Sequence, residues 1–335
     1  MGSSQARAIK GSMHIELEKM DCNSGGDVTG SVHFYLHDTL PRCSLFLSFK
    51  GIEETYWEES SASHTVDPES DPEEEYIQNY HDKKTIASIK HLLYEWKSSL
   101  SAGDYNIPFI FKLPDNLPGS FKYRKETTWA KIEYTIKSKL IITNGRKLFD
   151  KTEMYINEKA EICKKKQEIN KSFGLKKWCC ISQGKCTLNL KIDKKIYNPD
   201  EIVSTVVGAD NSQSKIDISS LVCTLWRVLR LKAGKSSTFI KQRITETREG
   251  GLDFGKSLAG PYGIIMDLNL SSIKHKTGMI YSTKSAMIEC SYIIEYHADM
   301  NGWCTCLGEK PSIEILIYLF PAESIQNDPS NFYSL

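Results

Sequence analysis

Apolar side chains recur at every second position through most of the chain, and this spacing constrains the fold more than any other feature. Met13, Ile15 and Leu17 alternate with His14, Glu16 and Glu18. Val32, Phe34 and Leu36 repeat the pattern, as do Leu45, Leu47 and Phe49, and then Ala130, Ile132, Tyr134 and Ile136. Later, Cys186, Leu188, Leu190 and Ile192 do the same. Successive side chains of a strand point to opposite faces, so this period gives one face to a core and the other to water. Gly, Pro and Asn punctuate the runs, as antiparallel sheets require. Many such strands in succession predict an all-β chain built of antiparallel, immunoglobulin-like sandwiches. The run "TIASIKHLLYEWKSSL" fits both periods: Ile86, Ile89, Leu93, Trp96 and Leu100 would share a helix face. Its neighbours favour a strand.

Two stretches interrupt the alternation. Between Glu58 and Lys84 the chain turns acidic and rich in Ser and Pro, with few large apolar residues. Such a segment buries too little surface to offset its conformational entropy, so a disordered insertion is expected over 58–84. Between Ala160 and Lys177 the sequence is polar and basic, as an interdomain linker is. For 335 residues the size prior is about two domains. The expected division is a first sandwich over 8–160, a basic linker over 161–177, a second sandwich over 178–321, and a tail over 322–335.

Composition narrows the function classes. Lys and Arg number 43 against 42 Asp and Glu, a net charge of +1, so no bulk attraction to nucleic acid is expected. No apolar run approaches the ~20 residues of a spanning helix. Met1–Lys10 is polar and small, unlike a secretion signal. The ten cysteines are therefore expected as reduced thiols of a cytoplasmic protein.

Enzyme chemistry finds no foothold. A Ser-His-Asp order, a nucleophile elbow, a phosphate loop and a His-Glu-x-x-His helix are all missing, and "EGGLDFGKS" lacks phosphate-loop spacing. No enzyme activity and no cofactor are expected. Cys179, Cys180 and Cys186, with Cys304 and Cys306, have spacings that suit zinc poorly, and free thiols are the simpler reading. Acylation of Cys179 and Cys180 is the alternative, because Lys164, Lys165, Lys166, Lys171, Lys176 and Lys177 lie just upstream. A basic cluster with acyl chains anchors proteins to anionic membranes, and the same lysines are candidates for membrane or phosphate contact. The plainer reading is a solvated linker followed by two buried cysteines.

The stretch "YNIPFIFKLPDNLPGSF" (Tyr105–Phe121) reads as a strand bounded by prolines. Proline is confined to strand starts, edges and bulges. Pro108 would open a strand running from Phe109 to Leu113, Pro114 would close it, and Pro118-Gly119 would supply a turn. A structural role is expected for Pro108, Phe109, Pro114, Pro118, Gly119, Ser120 and Phe121.

This segment also resembles a known family. "GDVTGSVHFYLHD", "CSLFLSFKGIEE", "GDYNIPFIFKLPDNLPGSF" and "AKIEYTIKSKL" follow the order and wording of an arrestin amino-terminal domain. "GKCTLNLKIDKKIYNPDEIVSTVVGADNSQS", "SYIIEYHAD" and "PSIEILIYL" resemble an arrestin carboxy-terminal domain. The resemblance spans Met13 to Phe320 and implies two tandem arrestin-like sandwiches. It implies an adaptor for protein partners, the cytosolic segments of membrane proteins, working peripherally at the plasma membrane or endosome. The alternative it implies is a fixed structural subunit of a retromer-type coat. Two features of the family are not matched. Asn157 stands near the expected arginine of the interdomain charged cluster, with no acidic tail after Pro321, so phosphate-triggered release is not expected. "GPYG" at 260–263 lacks the first proline of the ligase-recruiting Pro-Pro-x-Tyr motif.

Overall fold

The computed structural model describes residues 9–61, 76–143, 145–160, 167–177, 181–258, 263–273, 281–301 and 310–325. The described chain is nearly all antiparallel strand and falls into two compact units. The first is Met1–Lys159 with Lys232–Ser236 and Ser285–Ile288.

In the first unit the strands are β1 (Gly11–Leu17), β2 (Asp21–Asn23), β3 (Asp27–Leu36), β4 (Cys43–Ser61), β5 (Tyr76–Trp96), β6 (Gly103–Lys112), β7 (Phe121–Lys125), β8 (Thr128–Ile142) and β9 (Lys147–Asn157). A small sheet runs β1-β3-β6 and a large one β2-β9-β8-β4-β5, with β7 added to β8. The alternation seen in the sequence is the packing. Along β8, Ala130, Ile132, Tyr134, Ile136, Ser138, Leu140 and Ile142 are all buried, while the residues between them are half-exposed. Val32, Phe34 and Leu36 of β3 and Leu45, Leu47 and Phe49 of β4 are likewise buried.

Tyr134 ties this core together. Its ring stacks on Phe49 at 5.6 Å, and its hydroxyl donates to the Pro118 carbonyl at 2.7 Å. Gly51 sits opposite it across β4 and β8, and a Cβ there would lie 2.5 Å from the ring. The missing side chain is what lets the ring lie flat against the strand. Burial, then the charges of Glu158 and Glu53, raise the Tyr134 pKa well above the ordinary tyrosine value, so the hydroxyl stays a donor.

The segment after β6 departs from expectation. β6 begins at Gly103, so Pro108 lies inside the strand rather than at its start. It is tolerated because β6 pairs with β3 alone, and an edge strand has backbone donors on one side that need no partner. The turn falls at Asp115-Asn116, where Asn116 takes φ 61°, and not at Pro118-Gly119. Asn reaches this left-handed region more easily than most residues. Leu117 to Phe121 then run as a buried crossing. Its polar backbone is accounted for: Leu117 N–H donates to Ser24 Oγ (2.7 Å), Gly119 N–H to Glu158 (3.2 Å), and Ser120 N–H to the Ile156 carbonyl (2.8 Å).

Both interruptions are shorter than expected. Glu58–Ser61 and Tyr76–Lys84, placed in a disordered insertion, continue β4 and β5 as a paired ladder. Trp57 stacks on Tyr80 at 5.0 Å and supplies the apolar surface that a composition count over the whole stretch diluted. The core of the expected insertion, 62–75, lies outside the described residues. The run 85–96 is strand, as its neighbours suggested.

The second unit is Ala160–Leu231, Ser237–Lys284 and Glu289–Leu335. Its strands are β10 (Gln167–Lys177), β11 (Ile181–Ile192), β12 (Ile196–Tyr197), β13 (Ile202–Asp210), β14 (Ile218–Ala233), β15 (Ser236–Leu252), β16 (Ser257–Leu258), β17 (Ile264–Asn269), β18 (Thr283–Lys284), β19 (Ile288–Met300) and β20 (Ser312–Leu319). One sheet runs β10-β11-β13-β16 with β17 on β13, the other β12-β20-β19-β14-β15 with β18 on β19. Gln167–Lys177, expected as linker, is therefore an edge strand paired along β11, with Phe173 and Leu175 buried. Its polar residues are the outward half of an alternation that the lysines obscured.

Asn211 holds the turn after β13. It is fully buried, and its amide donates to the Ile216 carbonyl at 2.9 Å and to the Leu252 and Asp253 carbonyls at 3.4 and 3.3 Å. Its backbone N–H donates to Lys256 and its carbonyl accepts from Ser214 and Gly255.

Candidate functional site

Sheet edges are where a β-sandwich exposes unused backbone hydrogen-bonding groups that a partner segment can pair with. In the first unit the large sheet ends at the three-residue β2 and at β5, the small one at β1 and β6, and the longer edges are β5, β1 and β6. These three edges differ in what they offer.

The β1 edge is partly occupied. The Ile15 N–H donates to Asp150 Oδ2 at 2.9 Å, so an incoming strand would have to displace a carboxylate. The β6 edge carries Pro108, which has no donor. The β5 edge is the long one, paired with β4 from Cys43↔Trp96 to Ser61↔Tyr76 with two register shifts. Ile77, Leu92 and Tyr94 are exposed along it, 59%, 54% and 49% respectively. Lys83, Lys84 and Lys90 stand between them, with charges that suppress indiscriminate pairing of such an edge. At Glu54, beside this edge, burial alone would raise the carboxyl pKa. Hydrogen bonds from His81 (3.1 Å) and Lys83 (3.2 Å), with Lys131 at 3.5 Å, outweigh burial and hold it below the usual value.

The sign of that shift fixes a pH prediction. A carboxyl with a depressed folded pKa stabilises the fold above its unfolded pKa of about 4.3 and loses that contribution as pH falls through the folded value. Glu54→Gln is expected to remove this share of the acid sensitivity. Thermal midpoints of variant and parent should converge below the unfolded pKa, and midpoints that stay equally far apart at every pH would contradict it.

A shallow hollow on the small sheet brings His14, His33, Tyr35, Asp104 and Asn106 together. His14 and His33 face each other across β1 and β3. His33 Nε2 lies 2.7 Å from Ser31 Oγ and 3.0 Å from Glu16 Oε2. A hydrolytic triad needs the hydroxyl on one imidazole nitrogen and the carboxylate on the other. Here both share Nε2, so this trio cannot relay a proton from serine.

The residues singled out from the sequence scatter. Phe109 and Phe121 are core, Pro118, Gly119 and Ser120 lie in the buried crossing, and Pro114 is half-buried just before the turn. Lys171 and Lys176 are exposed on β10. Lys177 ends that strand. Lys164, Lys165, Lys166, Cys179 and Cys180, and with them the acylation reading, lie outside the described residues. The same holds for Cys304 and Cys306 of the zinc alternative. Cys186 is buried and free, as are Cys43, Cys223 and Cys290, while Cys22 is free and half-buried. Burial first, with Asp210 adding, pushes the Cys186 thiol up to about 11, which makes it a poor ligand or nucleophile. Among the described residues no group of three or more His, Cys, Asp or Glu is placed to hold a metal, and no helix is long and apolar enough to cross a membrane.

Comparison with known proteins agrees with this architecture. Residues 13–163 match the family described as "Arrestin (or S-antigen), N-terminal domain", and residues 182–324 match "Arrestin (or S-antigen), C-terminal domain". "Arrestin domain-containing protein A" of Dictyostelium discoideum is 25% identical over 217 residues, covering 62% of this chain and 34% of that protein. "Arrestin domain-containing protein 17" of Caenorhabditis elegans is 25% identical over 231 residues, covering 64% of this chain and 50% of that protein. The chain thus spans about a third to a half of the curated relatives it matches.

Proposed function

The chain belongs to the arrestin family, and on that premise we propose that it is a non-enzymatic adaptor whose first unit takes up extended cytosolic segments of membrane proteins on the β5 edge. The family acts generally by adapting one protein to another, and the free β5 edge is the observation that carries the specific reading. A segment added there gains affinity from main-chain hydrogen bonds and selectivity from side chains alternating against Ile77, Leu92 and Tyr94. Trafficking of the bound protein, at the plasma membrane or endosome, is the process such an adaptor serves.

The test uses two single substitutions, Lys90→Pro and His91→Pro, on the full chain. Adjacent N–H groups of a strand point to opposite sides, so one proline removes an outward donor and the other a ladder bond to β4. The variant with an unchanged thermal midpoint is expected to lose about tenfold or more in affinity for synthetic cytosolic segments that bind the parent. Parent-like binding by that variant would rule out the β5 edge.

A second reading, a fixed subunit of a retromer-type coat, is favoured by one observation. On β13 and β17, Val206 and Ile265 are register partners exposed 37% and 64%, with Ile202 exposed 55% nearby. An exposed apolar group of this kind suits a permanent protein partner. Recovery of the chain from cells in a constant stoichiometric complex, with no affinity for any cytosolic segment, would reverse the order of the two readings.

A further inference from the structure

The outer face of the large sheet in the first unit gathers charge that no single strand reveals. Register places Lys90, Ser48, Lys137 and Lys151 in one row across β5, β4, β8 and β9. The next row holds Leu92, Phe46, Lys139 and Phe149, and the one beyond it Ser44, Ile141 and Lys147. Lys50 stands on the other side of the first row. On β4 and β8 these positions alternate with buried side chains, and the register carries the same outward face across to their partners on β5 and β9. At ~4.8 Å between strands and ~6.7 Å between alternate residues, six ammonium groups cover an area of about 15 by 20 Å.

Little negative charge balances them. Glu133 and Glu153, at one end of the face, are taken by Lys122 and Lys131. Glu95, opposite Ser44, is bonded to Arg42 at 2.7 Å. Asp150 turns to the other side and accepts from Ile15. Lys90 lies 4.0 Å from the Phe46 ring centre and Lys137 lies 4.2 Å from that of Phe149. Partial burial, then the neighbouring Lys139, Lys147 and Lys151, lower the Lys137 pKa.

We propose that this face of β5, β4, β8 and β9 docks on an anionic lipid bilayer. Three features select a membrane. From β4 to β8 the backbone of this face is already paired on both sides, so an acidic peptide could add a strand only along an outer edge, away from Lys137 and Lys139. Its cations are all lysines, point charges spread over an area instead of a fork converging on one phosphate. Phe149 (51% exposed) and Leu92 (54%) stand among them, and apolar side chains gain free energy in a headgroup layer but nothing from a small soluble anion. A surface of this make-up is attracted by roughly the sum of its lysines, each acting within a Debye length.

The test is flotation of the full chain with phosphatidylcholine vesicles, with and without phosphatidylserine. Binding is expected only with phosphatidylserine, weakening as salt rises. The combined variant Lys137→Glu, Lys139→Glu and Lys151→Glu should bind about a hundredfold more weakly or less, with Lys→Arg at the same positions restoring it. The three Lys→Gln changes serve if the reversal does not fold, and should lower the salt dependence as well as the affinity. Phe149→Ser should weaken vesicle binding without changing the weak affinity for soluble heparin. Parent-like binding by either lysine variant overturns the proposal, as does indifference to phosphatidylserine. So does equal loss of heparin and vesicle binding with no effect of Phe149→Ser, which would assign the face to a soluble polyanion. Reversal of Lys164, Lys165 and Lys166 should have the smaller effect, and a loss confined to that variant would move the contact off the sheet.

Discussion

Phe121→Ala is expected to destabilise the first unit by about 3–5 kcal/mol. Phe121 is 1% exposed and opens β7 at the end of the buried crossing from Leu117. Removing its ring forfeits the transfer free energy of a large apolar group and leaves a cavity that the crossing cannot close. Three backbone hydrogen bonds, to Ser24, Glu158 and Ile156, hold that segment in place. The cost is large because the site cannot collapse. The thermal midpoint of that unit should fall by about 10 °C. A fall worth less than about 1 kcal/mol would mean that the crossing is mobile and not part of the core.

Asn211→Asp should do comparable damage to the second unit, about 3–5 kcal/mol at neutral pH. The substitution keeps the shape and changes only the chemistry. The amide that donates to Ile216, Leu252 and Asp253 becomes a buried carboxylate aimed at three carbonyl oxygens. Its charged form is penalised by desolvation and by those dipoles, so the folded pKa of the new group lies above its unfolded value of about 3.9. A raised folded pKa means stability that is present below the unfolded pKa and is lost as pH rises through the folded one. The destabilisation should therefore be smallest in acid and level off near neutrality. A penalty independent of pH would show that the carboxylate finds a cation or water, and that the carbonyls are not closed off.

Much of the fold is legible in the residues. Period two along Ala130–Ile142 or Cys186–Ile192 states which side chains are buried, because a strand has only two faces. The Asn-Ser turn after β13 is legible too, though not its network, since Asn211 reaches carbonyls more than forty residues away in sequence. The structure departs from the sequence-based expectation where one stretch of chain serves more than one environment. Trp57 and Tyr80 stack across a hairpin, yet in sequence they flank an acidic stretch that dominates any window. Lysines on β10 disguised Phe173 and Leu175, and Pro108 looked like a strand start because its tolerance depends on β6 having one neighbour.

The candidate surfaces were harder to read, for a geometric reason. The free edge at β5 follows from the strand order, which no local pattern states. The lysine face is assembled from four strands. Lys137 and Lys139 appear in the sequence as the outward half of one alternation, Lys147 and Lys151 as half of another. Only register brings them side by side with Lys90 and Phe149.

Pro108 has a consequence for how these molecules behave when crowded. A sheet whose last strand lacks a donor halfway along cannot template a second copy over its full length, so β6 resists stacking copy upon copy into fibres. Replacing that ring with an ordinary residue would complete a ten-residue ladder and turn a safe boundary into a place where concentrated protein begins to polymerise.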